Sequence, residues 1–197
     1  MFGKSGSELA FDLLLMGGWV LYGGAFLRRL MSGGGGLVEL GQVMAVTIFA
    51  ALFLLRRPAR RSGSAWETLL ALTGTFLPAA ARPAPGNFPW LGELIQVAGL
   101  AGMVVAAISL GRSFGIAPAD RGLRTTGLYA WVRHPLYAME ISFFVGYLVA
   151  YPSWRNLAIL LADTVVQLLR ALREERILKG YAGYAARVRW RLLPLVW

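Results

Sequence analysis

The sequence predicts an all-α fold, an integral membrane helical bundle of 5–6 transmembrane segments with an amphipathic helix near the C-terminus. Three observations lead there. Hydrophobic residues make up 57% of the 197 residues and charged residues only 15%, against about 45–50% and ~25% in a soluble domain. Mean hydropathy is +0.57, and a soluble chain of this length lacks the core volume to hide so much apolar surface. The apolar residues also fall into long runs separated by arginine clusters and proline breaks. Disorder is excluded by the same numbers, because disordered chains are poor in apolar residues.

Six apolar segments follow one another. The first covers residues 9–27 and leads into Arg28, Arg29 and a glycine run at 33–36. The second, 37–55, is closed by Arg56, Arg57, Pro58, Arg60 and Arg61. The third covers 65–81, after which the prolines and glycine of 82–89 cannot continue a helix. The fourth is 90–110, followed by a polar stretch from Gly111 to His134. The fifth covers 136–150 and ends at Tyr151-Pro152-Ser153; the sixth covers 154–172. A span needs about 20 apolar residues. Segments one, two, four and six meet that length, while three and five are short enough to be tilted hairpin partners. No cleaved signal peptide is expected, since no small-residue cleavage site precedes the first full-length segment.

Charge sets the expected orientation. Lys+Arg is 20 and Asp+Glu is 10, a net charge of +10. With a cytoplasmic N-terminus and six crossings, only Arg28, Arg29, Arg82 and Arg155 lie outside, and the other 16 basic residues lie inside. That asymmetry is the positive-inside pattern, so N-terminus, C-terminus and the polar blocks are expected on the cytoplasmic side of the bilayer. Nucleic acid is a poor partner for these residues, because they flank spans and leave no soluble recognition fold. The chain has no cysteine and one histidine, His134. Disulfides, thiolate chemistry and a multi-histidine zinc site are thereby excluded, and no metal is expected.

Chemistry concentrates in two blocks. The first reads Gly127-Leu-Tyr-Ala-Trp-Val-Arg-His-Pro-Leu-Tyr137. Pro135 suits the first turn of a helix and pushes His134 toward extended geometry. Arg133 and His134 are then expected at the entrance of segment five, where free N–H groups favour a carboxylate or phosphate. Tyr129, Trp131 and Tyr137 supply flat surfaces beside them. The competing reading is an interfacial belt that anchors a helix, although a belt does not require a His-Pro pair.

The second block follows segment six and contains Glu174, Glu175, Lys179, Tyr181, Tyr184 and the basic set Arg187, Arg189 and Arg191. Arg170–Glu174 and Glu175–Lys179 are i,i+4 pairs, and Tyr181, Tyr184 and Val188 share one helical face. Such an end suits anionic lipid. Adjacent carboxylates amid arginines equally suit a cation, an amine or ribose hydroxyls. Inside the spans, Glu140 and Asp163 are costly unless they face the interior. Glu140 falls on roughly the same face as Arg133 if the helix starts that early, and is expected either to serve Arg133 or to be a buried structural acid. Asp163 reads as structural.

In order and across a helical hairpin, these blocks resemble the isoprenylcysteine carboxyl methyltransferase family and the wider membrane group that includes phospholipid methyltransferases. The resemblance rests on Gly127, Tyr129, Arg133, His134, Pro135 and Tyr137, then on Glu174, Glu175, Leu178, Tyr181, Tyr184 and Pro194, with Arg112-Ser-Phe-Gly-Ile as lead-in. It covers about residues 110–195. It divides the chain into N-terminal transmembrane helices (1–110) and a catalytic region (111–197). It implies a cytoplasmic S-adenosylmethionine pocket, with S-adenosylhomocysteine as product, reached from the bilayer by a lipophilic or prenylated substrate. Tyr129, Val132, His134, Pro135, Tyr137, Glu174, Glu175, Leu178, Tyr181 and Tyr184 would then bind the cofactor. Arg133 would orient a substrate carboxylate, with Arg112, Glu140 and Arg187 as further substrate contacts.

Carboxyl methylation of an isoprenylcysteine-like acid is the leading activity, with N-methylation of a phospholipid headgroup as the alternative. One position departs from the pattern. Where the family usually has Gly two residues after the motif Tyr, this chain has Met139, followed by Glu140. That Glu is similar to the corresponding segment of NADPH-dependent membrane sterol reductases, a third reading. A non-enzymatic membrane protein, whose polar blocks are only belts and lipid-binding ends, is the fourth.

Overall fold

The computed structural model describes residues 4–193; Pro194 of the second motif lies outside them. The described chain forms helices α1 (Gly6–Met31), α2 (Leu37–Leu55), α3 (Ala65–Phe76), α4 (Pro89–Leu110), α5 (Pro135–Ala150), α6 (Trp154–Ile177) and α7 (Tyr181–Arg187), with two short strands, β1 (Arg61–Ser62) and β2 (Ala119–Asp120).

Local chemistry sets the helix ends. Ser5 with Glu8, and Ser64 with Glu67, form reciprocal capping boxes that start α1 and α3. Ser153 caps α6 through the Asn156 N–H. Pro89 and Pro135 occupy the first turns of α4 and α5, where the missing donor costs nothing. The third segment ends earlier than expected as an α-helix, because Pro78 turns it into a 3₁₀ turn over Leu77–Ala80. The sixth runs further, to Ile177, and carries Glu174 and Glu175 on its last turns.

Three described helical stretches are long and apolar enough to cross a membrane unaided: Gly6–Met31, Leu37–Leu55 and Pro89–Ser113. Helix α5 is apolar but shorter. Helix α6 has the length, yet its buried face carries Asn156, Asp163, Gln167 and Arg170, so it depends on neighbours. Large side chains such as Leu14, Leu21, Leu94, Ile108 and Leu161 are exposed on the outer surface. In water so much exposed apolar surface would drive association; here it forms the lipid-facing coat of an integral membrane protein.

The segments run between two ends. At one end the Ala59 N–H donates to Glu8 Oε1 (3.0 Å), Arg57 N–H donates to the Arg112 carbonyl (2.8 Å), and β1 pairs antiparallel with β2. The buried ion cluster of Asp12 with Lys4 and Arg56 ties α1 to the end of α2 there. At the other end Asn156 Nδ2 donates to the carbonyls of Arg82 (2.9 Å) and Tyr151 (2.7 Å), and Arg155 Nε donates to the Ala80 carbonyl (3.2 Å). The arginine-rich loops after α2 and α4 thus meet at one end, and Arg82 and Arg155 lie at the other.

Helices α4 and α5 lie closest. A Cβ on Gly99 would stand 2.8 Å from the Phe143 amide nitrogen, and one on Gly146 would stand 2.7 Å from the Gly92 carbonyl oxygen. Small residues that let backbones touch are the usual device for association in lipid. The departure at Met139 is resolved in the same interface. Its thioether lies over Gly102, where an added Cβ would collide with the sulfur, so the glycine that accommodates the close approach sits on α4. Phe49, Phe53, Leu100, Met103 and Phe114 fill the core beneath.

Gly99→Ala should therefore lower the thermal midpoint in detergent, by the equivalent of about 1–3 kcal/mol for overpacking, as followed by tryptophan fluorescence. Gly17→Ala, in α1 with nothing within 4 Å of the added Cβ, should leave the midpoint unchanged or raise it.

Candidate functional site

At the basic end a cleft of about 760 Å³, open to solvent, lies between the loop from Ser113 to Arg124, the start of α5, the end of α6 and α7. Tyr129, Arg133, His134, Tyr137, Glu174, Leu178, Tyr181 and Tyr184 line it, joined by Ser113, Gly115, Arg121, Leu123 and Arg124.

His134 is the residue before α5; its φ −129° and ψ 59° keep it out of the helix but short of the extended geometry expected ahead of a proline. Its ring stacks on Tyr137 (centroids 5.7 Å, 13° between planes) and faces Tyr181 (6.4 Å, 28°). Tyr181 packs edge-on against Tyr184 (5.6 Å), whose hydroxyl donates to the Tyr129 carbonyl (2.7 Å). One cleft wall is thus a run of aromatic faces.

The adjacent glutamates do different work. Glu175 Oε1 accepts from the Tyr181 hydroxyl (2.8 Å) and Arg191 Nε (2.9 Å). His134 Nε2 lies 3.3 Å away and Arg133 Nη1 3.5 Å away. Burial acts to raise the Glu175 carboxyl, but the hydrogen bonds from His134, Arg191 and Tyr181 outweigh it and hold the group down at about 2. Glu174, about 100° round the helix, is the glutamate on the cleft wall. Its Oε1 accepts from the Tyr137 hydroxyl (2.6 Å), and its Oε2 lies 3.8 Å from His134 Nδ1. Burial holds the Tyr184 phenol up at about 12 and, together with Glu175, raises that of Tyr181, so both remain hydrogen-bond donors at neutral pH.

Several sequence expectations change. The backbone N–H groups of Arg133 and His134 are not free for a ligand: they donate to the carbonyls of Trp190 (2.9 Å) and Arg191 (2.8 Å). The Arg133 side chain reinforces this, with Nε donating to the Val188 carbonyl (2.8 Å) and Nη2 to that of Arg189 (2.9 Å). Arg133 borders the cleft and clamps the returning C-terminal segment. Val132 forms a parallel bridge to Trp190 and, like Pro135, supports the wall without lining it. Glu140 does not serve Arg133. Because Pro135 starts α5, Arg133 lies off the helix, and Glu140 faces a different cavity and accepts from Gln167 Nε2 (2.8 Å). Arg112 is exposed and donates through Nε to the Leu55 carbonyl (3.1 Å). Arg187 is exposed at the end of α7 and is not among the lining residues.

Sequence reasoning missed Arg121, Arg124 and Arg170. Arg121 and Arg124 are held by carbonyls of Arg57 and Leu110 (both 3.1 Å from Nε) and line the cleft. Burial and neighbouring Arg56 lower Arg121 to about 10, so it is still cationic. Arg170 is buried with its guanidinium 4.7 Å from the centre of the Tyr137 ring, stiffening the aromatic wall from behind. Arg121 and Arg124 lay in a loop whose path was not legible. Arg170 was visible only as an i,i+4 partner of Glu174.

The arrangement offers aromatic faces, one cleft-facing carboxylate and three guanidinium groups at the edge of an apolar bundle. Residues 88–183 match the family model described as phospholipid methyltransferase. No curated protein matches the chain.

Two outcomes check this geometry. Glu175 titrates at about 2 in the fold against 4.5 ordinarily, so its contribution to stability is complete above about pH 4.5 and lost as pH falls toward 2. Glu175→Gln should lower the midpoint at pH 7 and flatten its decline through that window. Arg133→Lys, which replaces the planar fork by a point charge, should speed hydrogen exchange of residues 188–191 while leaving α1 and α2 unchanged.

Proposed function

Because residues 88–183 belong to the membrane phospholipid and isoprenylcysteine methyltransferase group, we propose that this membrane methyltransferase uses S-adenosylmethionine and methylates a lipophilic acceptor at the basic end of the bundle. The carrying observation is the convergence of His134, Tyr137, Glu174 and Tyr181 on one cleft although they come from the entrance of α5, from α6 and from α7. The donor set suits the cofactor: flat rings for an adenine, and a carboxylate for an ammonium, a ribose or a sulfonium. Gly122, at φ 98°, lines the opposite loop, where a Cβ would be strained.

When bound, the cofactor supplies an electrophilic methyl group on a sulfonium. The chain's own part is alignment and exclusion of water. His134, Tyr137 and Tyr181 form the stacking wall, with Tyr129, Leu178 and Tyr184 closing it. Glu174 supplies the counter-charge. Glu175, Val132 and Pro135 hold these groups in place, and Arg133 fixes the returning segment at 188–191. The transmembrane part, 1–110, anchors the catalytic region, 111–197. The arginine-rich end faces the cytoplasm by the positive-inside pattern.

A carboxylate acceptor, as in an isoprenylcysteine-like acid, is favoured by charge. Arg121, Arg124 and Arg133 border the cleft. A carboxylate needs no base, only a cation to hold it. An amine acceptor must lose a proton, and Glu140, the acid expected to take it, lies on the other cavity. A phospholipid headgroup amine is the second reading, favoured by the description of the matched family.

Titration calorimetry should show S-adenosylhomocysteine binding with a Kd on the order of micromolar, about −8 kcal/mol. Glu174→Ala should weaken it at least tenfold. No heat at millimolar ligand would refute cofactor use. Turnover on a farnesylcysteine acid should exceed turnover on phosphatidylethanolamine, and the reverse order would select the second reading.

A further inference from the structure

A second cavity, of about 670 Å³ including its open mouth, lies near the midplane of the bundle. Helix α3 packs along α6, while α1, α2, α4 and α5 pack in series. The cavity occupies the space between the two groups, with Trp19, Phe49 and Phe143 on its apolar side and Asp163 and Gln167 on α6 opposite. Glu140 joins them from α5.

Its polar groups are incompletely matched. Gln167 Nε2 donates to Glu140 Oε2 (2.8 Å). Asp163 is 1% exposed, and its Oδ1 has no hydrogen-bond partner among the described residues. The indole N–H of Trp19, also lining the cavity, is likewise buried without one. Among the described residues, the cation that acts on both acids is Arg170, whose Nη1 donates to Gln167 Oε1 (2.8 Å) and Nη2 to the Ile116 carbonyl (3.2 Å). Two carboxylates therefore share one guanidinium. A carboxylate oxygen left unpaired in an apolar wall is expensive, and acids at this depth mark ligand or ion sites.

We propose that this midplane cavity is a binding site for a lipophilic amine, its protonated amino group held between Asp163 and Glu140 and its alkyl chain laid against Trp19, Phe49 and Phe143. Charge complementarity selects this occupant. An ammonium carries three donors and the missing positive charge, an alcohol supplies one donor and no charge, and a carboxylate is repelled. The site is distinct from the cleft, because Arg170 and the Tyr137 ring it covers stand between Gln167 and the cleft wall. It requires no methyl transfer, so it stands or falls independently of the proposed activity.

Native mass spectrometry of the full chain, released from maltoside micelles, would compare dodecylamine, dodecanol and dodecanoate. The expected result is one saturable dodecylamine per chain, at least tenfold tighter than dodecanol, with dodecanoate weaker still. Asp163→Asn and Glu140→Gln keep shape and polarity and remove charge. Each should weaken dodecylamine about tenfold and leave dodecanol within about twofold. If one variant fails to fold, the other carries the comparison. Equal binding of amine and alcohol, no saturable amine, or unchanged amine affinity in the folded variants would overturn the proposal.

Discussion

Glu175 sits where four parts of the chain meet. It is on the last turns of α6 and accepts hydrogen bonds from Tyr181 of α7 and Arg191 of the returning segment, with His134 and Arg133 at the entrance of α5 in contact. A carboxylate with this many donors is held ionised, and each donor is fixed in turn. The His134 ring takes its stacked position on Tyr137, and the backbone beside it is locked to Trp190 and Arg191. Without that hub, α7 is a seven-residue helix, too short to persist by itself, and the cleft loses one wall.

The membrane constrains everything else. In lipid the helices gain little from apolar burial, so contact comes from close backbone approach, as between α4 and α5, and from buried polar groups, as on α6. The polar face of α6 links the two cavities. From Asp163 and Gln167 at the midplane it passes through Arg170 and the Tyr137 ring to Glu174 in the cleft. Arg170 supports the aromatic wall on one side and the midplane acids on the other. A helix too polar to cross the bilayer alone thereby becomes the element that organises both cavities.

The six helical segments and the two chemical blocks were legible because each signal is local: apolar run length, arginine clusters, and proline at a helix start. The convergence of His134, Tyr137, Glu174 and Tyr181 was legible through the resemblance of two ordered motifs. What was not legible depends on non-local pairing. Whether Arg133 faces a ligand or a carbonyl is decided by the segment at 188–191 returning alongside it. Glu140 was separated from Arg133 because the helix begins at Pro135, which takes Arg133 off the helical face that spacing alone suggested. Arg121 and Arg124 enter the cleft because β1 holds β2 and its loop against the bundle, a pairing of two residues per strand that leaves no periodic trace. Met139 was noticed as a departure, but its partner Gly102 on α4 could be matched to it only in space.

The cleft walled by residues 113–137 and 174–184 is the proposed cofactor site. Hydrogen–deuterium exchange of the purified chain with and without S-adenosylhomocysteine tests it most directly. The ligand should slow exchange in peptides from both of those stretches together and leave α1 and α2 unchanged. Protection confined to α1 and α2, or to only one of the two stretches, would contradict it.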